Sequence, residues 1–383
     1  MPSASSTTLA ADWSQTGRAP VVDGCAWQGL ESETGPFVHW EFLQALAATG
    51  CTGERAGWEP EFFGVQRGGV LRAAAPAWIK SHSHGEFVFD WAWARAAMQA
   101  GMPWYPKLLV AAPFTPVSGP RLLGAGQSPS DAEQLVQQLE QCVEQRRLSS
   151  AGVNFCSDAD AKVLQSAGWL ARFDWQFHWR NEAYRDFDDF LDRFRRKARK
   201  NLRAERRKVG DAGWRFRWKT GAELQPDEID LVYRCYLSTF QLYGNRPSLN
   251  REFFAAAAAL TAPQMLVCLA YHRDQALAAA VFWRDQQRLY GRYWGSMVDA
   301  RDVHFEACYY QGIEYCIENG IEWFEPGAQG EHKIRRGFLP RRTRSFHYIR
   351  SPAMRSAIRR YLQAEAEALL AYRDDLERLN PFA

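Results

Sequence analysis

The chain has 383 residues, 46% of them apolar, with 16 Trp, 14 Tyr and 23 Phe, which excludes a disordered polypeptide and gives room for two ordinary domains. A formal net charge of only +3 means that partners are selected by local charge and not by the total. No apolar run reaches the length of a membrane span, and eight scattered cysteines without a C-x-x-C pair exclude a zinc knuckle or redox motif, which suits reduced thiols in a cytoplasmic protein.

Residues 1–17 are rich in Ser, Thr and Ala and lack a basic start followed by an apolar core, so they read as a loose tail and not as a signal peptide. Residues 63–78 read as a hairpin turning at Gly68-Gly69. A strand carrying His82 and His84, a helix over 90–100 and a strand over 107–112 follow. Lys107 and Arg121 flank the apolar run 108–114, and either could hold an anionic substrate group. A helix over 130–147, a short strand over 153–156, a helical turn over 158–168 and a strand over 173–180 come next.

Residues 190–209 hold ten Lys or Arg against Asp192 and Glu205. Phe187, Leu191, Phe194, Ala198 and Leu202 form a narrow apolar stripe on the helix they predict, and Arg199, Lys200 and Arg203 lie on its cationic face. So many like charges repel at i, i+4 spacing, and a phosphate-bearing partner would offset this; a solvated face is the alternative. A second hairpin over 266–283, a strand over 289–294, a helix over 302–320 and a strand over 321–324 then run into the loop 325–333. Placing the second hairpin on the first at an offset of 206 residues makes the two halves repeats. Ser351-Pro352 opens a final helix.

The unit from 290 to 338 concentrates the candidate chemistry. His304 or Glu306, at a helix start, could accept a proton from an attacking amine, and Glu325, Glu331 and His332 are rivals for that role. Backbone amides near Gly327 and Gly330, with Lys333, could stabilise an oxyanion. Tyr293 on the strand and Arg336 in the basic exit complete the expected binding set. His304 and Glu306 point about 200° apart on a helix, and Glu331 and His332 are adjacent, so neither spacing is that of a metal site. No metal is expected.

The strings SHSHGEFVFDWAWA, QFHWRN, RRKARKNLRAERRK, HFEACYYQGIEYCIENG and FEPGAQGEHKIRRGFLP resemble the FemAB-like family of N-acyltransferases. That family lies within the acetyltransferase-fold (GNAT) group, which also contains the Fem peptidyltransferases of peptidoglycan synthesis. The resemblance implies an α/β (α+β) protein of tandem GNAT fold, with two mixed β-sheets each packed with helices, over 18–180 and 181–383. It implies transfer of an acyl or aminoacyl group from acyl-CoA or aminoacyl-tRNA to an amine, such as that of a nucleotide-linked or lipid-linked peptidoglycan-type precursor, with no permanently bound cofactor. It places the basic helix near the substrate cleft. No Q/R-x-x-G-x-G/A turn follows a strand, a departure from coenzyme A enzymes of this fold. A non-catalytic protein that binds tRNA or an anionic cell-wall precursor is the rival reading.

Overall fold

A computed structural model describes residues 24–382 apart from 32, 33, 300 and 329, and of residue 301 the backbone only. The tail expected over 1–17 lies outside the described residues. Helices α1 (Gly24–Gln28) and α2 (Trp40–Ala48) precede strands β1 (Trp58–Pro60), β2 (Phe63–Arg67), β3 (Val70–Ala75) and β4 (Ala77–Lys80). The β2–β3 hairpin turns at Gly68 and Gly69, with φ of 57° and 79°, the left-handed pair that a two-residue turn between twisted strands requires. The first half then runs through α3 (Trp91–Gln99), β5 (Lys107–Val110), α4 (Pro129–Gln145), β6 (Ser150–Asn154), α5 (Asp158–Ser166) and β7 (Leu170–Arg180). A capping box between Ser157 and Asp160 starts α5.

The second half opens with α6 (Phe187–Asp192) and the basic helix α7 (Arg196–Asp211), which are separate helices where one was expected. Strand β8 (Trp214–Thr220), helices α8 (Pro226–Leu242) and α9 (Arg251–Leu260), and strands β9 (Met265–His272), β10 (Gln275–Arg284) and β11 (Arg288–Ser296) follow. Helix α10 (Arg301–Phe305) passes through a π-helical turn at Glu306–Tyr310 into α11 (Gln311–Glu318). The chain ends with β12 (Trp323–Glu325), a 3-10 turn at Glu331–Arg336, β13 (Leu339–Ile349) and α12 (Pro352–Arg378), the last capped by the Ser351 hydroxyl.

Eleven strands form one sheet in the order β1-β4-β5-β6-β13-β7-β12-β11-β10-β9-β8, while β2 and β3 pair on their own. Strands β5 and β6 are parallel, as are β11 and β12, so each half holds a parallel strand-helix-strand unit. The last strands of the halves are exchanged: β13 pairs with β6 of the first half, β7 pairs with β12 of the second, and β7 pairs with β13 between them. The two expected sheets are thereby continuous, and no unpaired edge is left between the halves. The repeat also differs from the single-offset reading. The hairpins correspond, but the unit β5-α4-β6 matches β11-α10-α11-β12, and α3, expected to match that second helix, has no counterpart among the described residues.

One apolar cluster joins the halves, with Trp58 and Trp78 from the first and Phe253, Met265 and Trp283 from the second. Phe42 of α2 meets both Phe253 and Trp283 edge-on at 5.8 and 5.9 Å, so the N-terminal segment is packed against the second half. Close packing depends on Gly295, where a Cβ would fall 1.7 Å from the Cys235 carbonyl oxygen of α8. Among the described residues no helix is long and apolar enough to cross a membrane.

Candidate functional site

Strands β11 and β12 pair only from Arg288–Trp323 to Tyr290–Glu325, after which β11 continues to Ser296 and the other strand ends. Ligands of parallel units gather at such openings beyond the strand ends. The opening coincides with a β-bulge. Phe282 faces Gly291 and Val281 faces Tyr293, which leaves Arg292 as the extra residue.

Glu325 closes the paired segment and is 2% exposed. Its Oε1 accepts from Arg288 Nη1 at 2.9 Å, and its Oε2 lies 3.8 Å from His178 Nε2 without a side-chain hydrogen bond. Burial raises the Glu325 carboxyl to about 7, although Arg288 pulls it the other way. Burial, followed by the charges of Arg288, Arg341 and Lys333, lowers His178 to about 3, so its imidazole is neutral and the Glu325 contact is not an ion pair. Arg288, His178 and Tyr290 are also walls of a cleft of about 1230 Å³ between the halves, which Arg284, Arg341, Arg342 and Arg344 line as well, against Glu31, Asp158 and Asp285.

Lys333, in the 3-10 turn, is 3% exposed. Its Nζ donates to the Gly327 carbonyl at 2.8 Å, and among the described residues it has no ion pair within reach. Burial lowers its ammonium to about 7. Nearby, His304 packs against Trp294 and Tyr309 at ring separations of 5.4 and 5.6 Å, and burial with the charges of His332, Lys333 and Arg336 lowers it to about 4. The exposed His332 meets the buried Tyr309 hydroxyl at 3.0 Å. Cys308 is raised by burial, so it is a packing thiol and not a thiolate. Glu331 turns away to Tyr372 of α12.

The expected set is thus divided. Lys333 meets Gly327 in the loop beyond β12, and His304 and His332 both pack on Tyr309; Glu325 faces Arg288 and His178, and the Tyr293 ring packs on Tyr236, Phe254 and Trp283, on the other side of β11 from Trp294 and His304. Residue 329 between Gly327 and Gly330 is outside the described residues. Gly327 presents its carbonyl to Lys333, so this part of the loop orients the lysine. Glu306, expected as a base, is 4% exposed and held by Arg206 of α7, whose Nη2 lies 2.8 Å from its Oε1; Arg206 also binds Glu314 at 2.7 Å. The π-helical turn rotates Glu306 and Tyr310 onto the face that α7 covers, where a simple helical count leaves them outside. Arg336 belongs to the same packing: it donates to the Tyr310 hydroxyl at 3.0 Å and binds Glu205 at 2.9 Å.

In the first half, Lys107 is a core ion pair and not a substrate ligand. It binds Glu86 at 2.7 Å and also Asp90, and these acids raise it even though burial opposes them. Arg121 donates to the carbonyls of Val117, Pro120 and Asn154, so its guanidinium fills the opening beyond β5 and β6 and leaves no edge for a ligand. On α7, Arg199 meets Asp192 at 2.8 Å and Arg203 meets Asp188 at 2.9 Å, while Lys200 is exposed.

The sequence assigns no role to Arg288, His178 or Arg341, and it counts Arg206 only among the cations of the basic helix. Alternation of Gln176, His178 and Arg180 with Phe177 and Trp179 was the available signal for one polar face on β7.

The model of the FemAB-like family, described as peptidoglycan biosynthesis and recognition, matches residues 20–383. The solved structure of FemX shares the fold, with a TM-score of 0.57 at 10% identity over 88% of this chain and 98% of that one. The C-terminal domain of a putative lysylphosphatidylglycerol synthetase from Agrobacterium fabrum aligns at 15% identity and a TM-score of 0.48, over 66% of this chain and 80% of that one. No curated protein matches the sequence. A mixed α/β fold with a parallel strand-helix-strand unit in each half and a family model that spans nearly every residue lead to one statement: the chain belongs to the FemAB-like family.

Proposed function

We propose that the protein transfers an acyl or aminoacyl group from an activated carrier, acyl-CoA or aminoacyl-tRNA, to an amine of a peptidoglycan-type precursor. The observation that supports this reading is a pair of buried ionisable groups at the close of β12 and in the turn after it: Glu325, bound to Arg288, and Lys333, which donates to the Gly327 carbonyl two residues beyond that glutamate. An ammonium is not a nucleophile, so the acceptor needs a base that is partly ionised near neutrality, and Glu325 fits. The amine nitrogen attacks the donor carbonyl and its proton passes to the Glu325 carboxylate. Lys333, as ammonium, stabilises the oxyanion of the tetrahedral intermediate. Collapse breaks the bond to the carrier, whose oxygen or sulfur leaves with the proton. His304, neutral at this pH, is the alternative acceptor.

The arginine-lined cleft suits an anionic precursor, and the exposed cations of α7 suit the phosphates of a carrier. The family description supports a cell-wall acceptor. It also names recognition, which keeps a purely binding role as the competing reading. Purified protein incubated with labelled aminoacyl-tRNA or acyl-CoA and a nucleotide-linked muropeptide is expected to form the amide, and to lose this activity in Glu325→Gln. Binding of the precursor without amide formation from either donor would establish the recognition role instead.

A further inference from the structure

A groove of about 320 Å³ runs between β7, β13 and the middle of α12. It has Arg342 and Arg344 in common with the cleft described above and is otherwise separate from it. Its inner surface is apolar. Ala171 and Phe346 are cross-strand partners, Phe173 lies beside them on β7, and Leu362 and Ala366 of α12 face them. The small side chains at 171 and 366 leave the space open. Leu370, one turn beyond Ala366 on the helix, is 46% exposed, so the apolar track continues to the surface. From Arg359 to Leu370 the track is about 16 Å long at the helical rise.

Four guanidiniums rim this groove. Arg172 is bound to Glu365 at 2.7 Å, and Arg344 to the exposed Asp158. Arg342 and Arg359, both exposed, have no ion pair among the described residues. Arg342 lies over the Phe173 ring at 4.1 Å, which holds its charge at the edge of the apolar floor. Burial and then the charge of Arg344 push it below the ordinary arginine value, so the neighbouring cations repel. An apolar surface bordered by polar groups is the mark of a binding site. We propose that this groove binds a single-chain lipid phosphate, its head held by Arg342 and Arg359 and its alkyl chain laid against Ala171, Phe346 and α12. Two guanidiniums without counter-ions match the charge of about −1.5 to −2 on a phosphate monoester, whereas a carboxylate would neutralise only one of them. A volume at the lower end for ligand pockets suits one alkyl chain and not two. A nucleic acid backbone would leave the apolar floor unused. The site does not depend on the transfer reaction, because binding is measured without donor or acceptor.

The test is a calorimetric and melting-temperature titration of the full chain with dodecyl phosphate below its critical micelle concentration. Inorganic phosphate supplies the head alone, dodecyl maltoside the alkyl chain without charge, and laurate a like chain on a carboxylate. Dodecyl phosphate is expected to bind saturably and to raise the melting temperature, since a ligand of the native state stabilises it by mass action. Inorganic phosphate should bind at least about a hundredfold more weakly, because each buried methylene strengthens binding about fourfold. Arg342→Gln combined with Arg359→Gln should lose at least about tenfold in affinity, while the melting curve of the free protein stays nearly unchanged. Ala171→Trp fills the groove without touching a charge and should remove the gain that the alkyl chain gives; Ala366→Trp, on the opposite wall, makes the same test if the strand variant does not fold. Equal affinity for inorganic phosphate overturns the lipid, equal affinity for laurate overturns the phosphate head, and equal affinity for dodecyl maltoside overturns the role of the arginines. A lowered melting temperature, or binding that the groove-filling variant leaves unchanged, overturns the site.

Discussion

Arg206 of the basic helix and Glu306 of the π-helical turn form a side-on pair, with Nε and Nη2 both within 3.2 Å of the same carboxylate. A hundred residues of sequence separate them. The pair shows that one side of the basic helix is an internal surface, and that its exposed cations are a different population from the one that holds the fold.

Breaking this pair should therefore cost stability and not merely charge. Arg206→Gln leaves Glu306 buried without its counter-ion, and unfolding in urea is expected to show a loss of about 3 kcal/mol. A loss under about 0.5 kcal/mol would give the pair the rank of a surface ion pair.

Glu325 should give stability a definite pH dependence. Its folded value of about 7 lies above the ordinary 4.5, so the fold favours the protonated acid. The corresponding stability is present below about pH 4.5 and is lost as pH rises through 7, on the order of 3 kcal/mol in all. Wild type minus Glu325→Gln, measured as unfolding free energy against pH, should fall over that window. A flat difference would mean that the carboxylate is ionised throughout. Turnover of the variant is expected to drop by a factor on the order of 100 to 10,000.

Lys333 has the opposite sign. Its folded value of about 7 lies below the ordinary 10.5, so the fold favours the neutral amine. Stability from this group is present above about pH 10.5 and is lost as pH falls through 7, on the order of 4 kcal/mol. Lys333→Met should therefore equal or exceed the wild type in melting temperature at pH 6, while turnover falls on the order of 100-fold. A variant that melts lower than wild type at every pH would make the lysine a structural donor to Gly327.

For the exposed face of α7, replacing Arg199, Lys200 and Arg203 together by Gln should leave the melting curve nearly unchanged, because their acidic partners are themselves solvated. Binding of tRNA should weaken, and the slope of log K against log salt should flatten by about 2 to 3. An unchanged slope would assign this face to solvent.

The sequence by itself determined what depends on neighbours along the chain. Apolar periodicity and turn residues placed the Gly68-Gly69 hairpin, the stripe from Phe187 to Leu202, the Ser351 cap and the parallel unit around β11 and β12, and the quoted motifs carried the family. Only the tertiary structure decided which charges remain for chemistry. Lys107 is taken by Glu86 and Asp90, Arg121 by three carbonyls and Glu306 by Arg206, whereas Lys333 is left without a counter-ion among the described residues. The exchange of β7 and β13 was equally out of reach, because strand pairing is a contact between distant segments and leaves no local pattern. The reason is the same in both cases: the energy of a charge or a strand edge is set by what folds against it, and burial and partners are properties of the packed molecule.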